Sequence, residues 1–288
     1  QPQSCYAIRT FLCRYTPLND GKPVISSDTI SLKKGVRDPH ILRGEDGYFY
    51  MVVTDMRSSQ GWTSNRGIVL MRSKDMVNWT HHTVNFPEKY ANTMFANVIR
   101  VWAPQTIYDK KAKKYMVYFS ILTDDGQCPY DKVFWAYANE DFSDLEGEPK
   151  VLFDYKKPSI DTDIVQDDNG TYHIFFKTEG EQKKGIRQYL AKDLHNPAEW
   201  ELLPGPFEDT DKAVEGSGVI QRIEGDWVLM YDCYMNGHYQ FCTSKDLMKF
   251  KRVQDTATQG AFTPRHGTVI AITQKELKRL QKAFPNTK

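Results

Sequence analysis

The chain predicts an all-β fold, a five-bladed β-propeller, and three features carry that expectation. One motif recurs four times: an acid or aromatic at the mouth of a short apolar strand, a turn, then a returning strand rich in Tyr, Phe and Val. The repeats begin at Val36, Val101, Ser159 and Val214, and a truncated fifth begins at Pro264. Equivalent points in them, Asp38, Ala103, Asp161, Glu215 and His266, lie 65, 58, 54 and 51 residues apart, a period that suits blades of three to four strands. Turn residues also separate the strands. Gly44-Glu45-Asp46-Gly47, Asp167-Asp168-Asn169-Gly170 and Glu224-Gly225-Asp226 each precede a run of β-formers, the signature of a hairpin.

Taken in order, Tyr6 to Arg9 and Tyr15 to Leu18 read as outer strands of a blade that lacks its inner ones. Gly21 to Gly35 then leads from the rim to the first inner strand. The second repeat uses Asp109 to Lys114 as a longer, charged turn. A third strand follows each hairpin, at Gly67–Arg72, Val133–Ala138, Ile186–Ala191 and His238–Thr243. Polar corners such as Ser73-Lys74-Asp75 and Ser244-Lys245-Asp246 close three of the units. The last repeat has an inner strand and then a helix-like tail, Gln274 to Ala283, so the two chain ends are expected to complete one blade together. No linker interrupts the pattern, and residues 1–288 read as one domain.

Composition excludes some partners. Lys and Arg number 38 against 37 Asp and Glu, a net charge of +1, which leaves no basic field for nucleic acid. No apolar run reaches the ~18 residues of a membrane span. The five cysteines, Cys5, Cys13, Cys128, Cys233 and Cys242, show no metal spacing. If Asn236-Gly237 is a two-residue turn, Cys233 faces Gln240 and is not bridged to Cys242. The chain begins at Gln1 with no visible signal peptide; a secreted or periplasmic monomer is the expectation.

Three carboxylates fall at inner-strand mouths, where a propeller brings strand ends around one channel. Asp38 lies between Arg37 and Pro39, and proline holds the preceding residue extended. Asp161 and Asp163 are two apart and face one side of an extended strand; either can be an acid satisfied by the neighbouring blade instead. Glu215 precedes Gly216-Ser217-Gly218, small residues that permit close backbone approach, and its apolar flanks raise a carboxyl toward the range of a general acid. A blade-to-blade acceptor is the alternative for it. Three acids around one cavity suit glycoside hydrolysis: one activates water, one protonates the leaving oxygen, and one tunes the donor.

These motifs resemble the inner strands of glycoside hydrolase family 43. The resemblance rests on Arg37-Asp38-Pro39, Trp102-Ala103-Pro104, Ile160-Asp161 nine residues before Gly170, Glu215-Gly216 and Arg265-His266-Gly267, and it covers nearly the whole chain. It implies an inverting, exo-acting five-bladed propeller that releases arabinofuranose or xylose from plant-type glycans. It also implies Asp38 as base, Glu215 as acid and Asp161 as the residue that tunes the acid, with Asp163 as the alternative third member. Arg37, Trp102, Asp163 and Arg265 are the implied substrate contacts. His266 resembles a family histidine that faces a structural calcium through water, although a histidine satisfied by hydrogen bonds is the plainer reading; no cofactor is required. Ser217-Gly218 departs from the Pro-His of many members. Trp62, Phe95, Tyr130 and Tyr234 lie on or near loops that reach the same rim. A β-fructofuranosidase-type hydrolase would need an N-D-P-N segment before Arg37, which is absent. A sugar-binding propeller without catalysis would not require the three acids.

Overall fold

In the computed structural model, residues 7–11, 14–179, 185–257 and 265–287 are described. Cys5, Tyr6, Cys13 and Pro264 lie outside them. A two-stranded sheet, β1 (Ala7–Phe11) with β2 (Arg14–Pro17), precedes four antiparallel four-stranded sheets. Blade 1 is β3 (Val36–Arg43), β4 (Phe49–Asp55), β5 (Gly67–Ser73) and β6 (Thr80–Asn85). Blade 2 is β7 (Val98–Asp109), β8 (Lys114–Thr123), β9 (Lys132–Ala138) and β10 (Leu145–Phe153). Blade 3 is β11 (Ser159–Gln166), β12 (Tyr172–Thr178), β13 (Gly185–Ala191) and the short β14 (Glu201–Leu202). Blade 4 is β15 (Glu215–Gln221), β16 (Trp227–Cys233), β17 (His238–Ser244) and β18 (Lys251–Ala257).

Each blade is a meander because its hairpins are short, and the Gly turns close them as expected: Gly47, Gly170 and Gly225 sit at φ 81°, 77° and 94°, where only glycine is unstrained. The second strands are apolar without alternation because both faces are covered. β4 and β16 are buried at every position. Tyr50, Val52 and Leu70 pack with Val117 and Phe119 of the next blade, Tyr118 with Ile174 and Phe176, and Phe175 with Leu229 and Tyr231.

The inner strands β3, β7, β11 and β15 share one irregularity. Pairing with the second strand slips between Arg37 and His40, Trp102 and Gln105, Ile160 and Asp163, and Glu215 and Gly218. In each bulge one residue takes positive φ: Asp38 at 53°, Ala103 at 46°, Asp161 at 52° and Gly216 at 65°. A bulge of this kind bends the strand and re-aims a side chain. It also corrects the repeat alignment. Glu215 is equivalent to Arg37, Trp102 and Ile160, one residue ahead of Asp38 and Asp161, because Gly216 takes the left-handed position in blade 4.

Three further expectations change. The β16–β17 loop holds four residues, so Cys233 pairs with His238 rather than Gln240; Cys128, Cys233 and Cys242 are free thiols nonetheless. Phe95 is a core residue, 2% exposed, packed edge-on to Phe134. Residues 265–273 carry no strand, so the described residues form four full blades and not a fifth. That segment still lies between blades 4 and 1: Val269 packs on Val228 and Met230, and Ile270 and Ile272 pack near Phe49 and Leu18. The tail helix Gln274–Ala283 ends where Asn19 N–H donates to Phe284 O at 3.2 Å. No helix among the described residues is long and apolar enough to cross a membrane.

Candidate active site

In blades 2, 3 and 4 the backbone N–H three residues past the bulge donates to the preceding blade. Thr106 N–H donates to His40 Nδ1 at 3.3 Å, Ile164 N–H to the Tyr118 hydroxyl at 3.2 Å, and Val219 N–H to Asp163 Oδ2 at 2.6 Å. His40 and Asp163 occupy the same place in their blades. Asp163 is buried, 5% exposed, and burial pushes its carboxyl up to about 7 against that backbone donor. It thus ties blade 3 to blade 4. The neutral His40, pushed down to about 3 by burial and then by His266, is its counterpart in blade 1.

One turn closer to the strand mouths the polar groups face each other. Asp38 Oδ2 accepts from Thr54 Oγ1 at 2.8 Å, and Thr54 Oγ1 accepts from Ala103 N–H at 2.9 Å, so blade 2 helps to fix the acid of blade 1. Asp38 Oδ1 meets His266 Nδ1 at 3.1 Å and lies 3.8 Å from Arg37 Nε. Burial raises the Asp38 carboxyl, but the His266 hydrogen bond and charge, then Arg37 and Thr54, outweigh it and hold it below its ordinary value. Asp161, 6% exposed, accepts from Gly216 N–H through Oδ2 at 2.8 Å, and its carbonyl accepts from Ser217 Oγ at 3.0 Å. The Ser217 that departs from the family pattern thus ties blade 4 to blade 3.

Glu215 is the least tethered of the three. Arg265 Nη2 lies 3.5 Å from Oε1 and Lys177 Nζ 3.8 Å from Oε2. Burial first, and Asp161 second, push its carboxyl up to about 7, against the pull of Lys177 and His266. No backbone N–H donates to it among the described residues; Asp161 and Asp163 hold the blade-to-blade positions instead. Side-chain exposures of 26% for Glu215 and 12% for Asp38 make Glu215 the more open of the two.

His266 joins the set. Burial lowers the imidazole, but Asp161, Asp38 and Glu215 together raise it to about 9, so all three carboxylates act on one cationic ring. A Cβ at Gly216 would stand 3.2 Å from His266 Cδ2, which explains a glycine directly after the acid. The His266 Nδ1 is taken up by Asp38 and is not open to a metal. No group of three His, Cys, Asp or Glu that could hold a metal ion is present among the described residues.

Of the expected contacts, Arg37 stacks on Trp62, 5.1 Å from the ring centroid, and Trp62 meets Trp102 edge-on at 6.1 Å. Arg100 covers Trp102 at 4.3 Å. Arg265 Nε donates to buried Asp232 Oδ2 at 2.7 Å, so this arginine braces Glu215 as well as facing outward. Sequence reasoning missed Thr54, Lys177 and Asp232. They hold one equivalent place on β4, β12 and β16, paired with Arg37, Ile160 and Glu215. The signal was a polar residue ending each Tyr/Phe/Val-rich run.

A family model of the glycosyl hydrolase 43-related group, described as "Probable glycosyl hydrolase domain", matches residues 12–278. An α-L-arabinofuranosidase of Bifidobacterium longum subsp. longum is 30% identical over 189 residues, 56% of this chain and 16% of that protein. The match therefore spans a small part of that relative's length. A family-43 glycoside hydrolase of Xanthomonas citri solved with xylose superposes at TM-score 0.64 and 15% identity, covering 88% of this chain and 81% of that one. An exo-β-1,3-galactanase of Clostridium thermocellum superposes at 0.59 and 15%, covering 81% and 52%. At these identities the two structures share the propeller fold.

Proposed function

The chain belongs to the glycosyl hydrolase 43-related family, and from that premise we propose that it is an inverting, exo-acting glycosidase that releases a terminal pentose, α-L-arabinofuranose or, in second place, β-D-xylose. The observation that supports this most is the set of contacts that brings the three acids together, Asp38 on His266 and Asp161 on the Gly216 N–H beside Glu215, with one acid held low and another pushed to about 7. That divergence is what sorts two carboxyls into base and acid. Asp38, already ionised, takes a proton from a water whose oxygen bonds to the anomeric carbon. The glycosidic bond breaks as the Glu215 proton passes to the leaving oxygen. Asp161 orients the Glu215–Gly216 turn through the Gly216 N–H and, by its charge, keeps the acid protonated. The scheme needs no cofactor. The arabinofuranosidase named among the relatives supports the pentose.

The test is a panel of p-nitrophenyl α-L-arabinofuranoside, β-D-xyloside and β-D-galactoside, with NMR of the first-formed anomer. Asp38→Asn and Glu215→Gln are expected to lose about 10²–10⁴-fold in kcat/KM while keeping the circular dichroism of the wild type. Glu215→Gln should keep far more of its rate on a 2,4-dinitrophenyl glycoside, whose leaving group needs no proton. Wild-type turnover in both variants, or a retained anomer, overturns the assignment.

A further inference from the structure

A buried lysine stands beside the proposed acid and has no role in the scheme above. Lys177 lies on β12 with its side chain 4% exposed. Its ammonium donates to Glu179 Oε1 at 2.6 Å, lies 3.8 Å from Glu215 Oε2, and is covered by the Tyr234 ring at 4.9 Å. A charged ammonium is retained in such a place only when it is paired, and here it has a carboxylate on each side. Resting on the acid assignment of Glu215, we propose that Lys177, balanced by Glu179, is a positioning residue that sets the acid strength of Glu215 and so the alkaline edge of the enzyme's working range.

The charges around the pair fix the sign. Glu215 is faced by Asp161 of β11, Lys177 of β12, Asp232 of β16, and Arg265 and His266 of the closing segment. Lys177 is faced by Glu179, Asp161 and Glu215, with Asp131 acting on Asp161 and Glu179 from the β8–β9 loop. An opposite charge within ~4–6 Å favours the ionised carboxylate, so Lys177 makes Glu215 the stronger acid. Glu179 weakens that effect by sharing the ammonium. The equivalent place in blade 1 is filled by Thr54, an uncharged donor to Asp38, and in blade 4 by Asp232, itself bound to Arg265. Ser120 fills it in blade 2, so among the described residues blade 3 alone on this ring of second-strand ends carries a cation. Burial of the Lys177 side chain, 4% exposed, leaves it little screened by water.

The pH dependence of kcat/KM tests this, measured on the p-nitrophenyl glycoside that the wild type hydrolyses fastest. Lys177→Met should move the alkaline limb up by about one pH unit and lower the plateau kcat, with the acidic limb unmoved and little loss on the 2,4-dinitrophenyl glycoside. Glu179→Gln, at a half-exposed site that folding tolerates, should move the same limb down. Opposite shifts support the proposal. An alkaline limb unmoved in Glu179→Gln, or in a folded Lys177→Met, overturns it, as does a uniform loss on both leaving groups, the mark of a merely structural lysine. If Glu215→Gln instead retains full activity, the underlying acid assignment fails and this test is replaced by that result.

Discussion

Blade 1 and blade 4 carry the same bulge and present an acid at or beside it, yet the two carboxyls are pushed in opposite directions. Asp38 sits on the bulge itself and is gripped by Thr54 Oγ1 at 2.8 Å and His266 Nδ1 at 3.1 Å. Glu215 sits one residue before its bulge and has only cations at 3.5 and 3.8 Å, with the charge of Asp161 opposing them. Hydrogen bonds donated to a carboxylate stabilise its charged form directly, whereas looser charges must first overcome burial. Backbone geometry therefore brings the acids to one place, and the groups within bonding distance decide what each does there.

His266→Gln should disturb this contrast most, because the imidazolium is bonded to Asp38 and acts by its charge on Glu215. Losing the hydrogen bond and the charge raises Asp38, and losing the charge raises Glu215, so both limbs of the pH–kcat/KM profile should move to higher pH. The acidic limb should move further, by about one to two units, with kcat/KM down on the order of 10²-fold. A profile that moves on the alkaline side only would place His266 on Glu215 alone.

Asp163→Asn probes the tie between blades 3 and 4. The folded value of about 7 lies above the ordinary carboxylate value near 3.9, so this group favours the folded state at low pH and loses that contribution as pH rises through about 7. Wild-type stability should therefore fall between pH 5 and 8 by a component on the order of 2–4 kcal/mol that Asp163→Asn removes. Urea unfolding at both pH values measures it. Equal pH slopes in the two proteins would show that the carboxyl is ionised without cost.

Thr54→Val should have the smallest effect. The hydroxyl joins Ala103 N–H of blade 2 to Asp38 of blade 1, and its loss leaves a buried amide without an acceptor, a cost of about 1–3 kcal/mol. A modest rise of the acidic limb should accompany it, since Asp38 keeps its bond to His266. Stability loss without any movement of that limb would sever the blade-to-blade contact from the chemistry.

Much of this molecule was legible along the chain. The repeat of Tyr/Phe/Val runs after Gly or charged turns located all four hairpins and the third strands within a residue of their observed starts, and the tail after the last repeat reads as the helix Gln274–Ala283. It did so because a strand covered on both faces must be apolar throughout and its turns must admit positive φ. The same repeat counted the acids 38, 161 and 215. It could not register them, since a bulge adds a residue without changing the composition around it, and only pairing with the second strand shows Glu215 one place ahead. Nor could it separate Asp161 from Asp163. Both lie on one strand, and which carboxylate faces His266 and which is spent on Val219 N–H depends on where the next blade sits. The protonation states belong wholly to the tertiary structure. They arise from burial and from Asp161, Thr54, Lys177 and His266, residues from four different segments whose distances to the acids are fixed by blade packing alone. Local sequence determines strands and turns because those depend on neighbours in the chain, while acidity depends on neighbours in space.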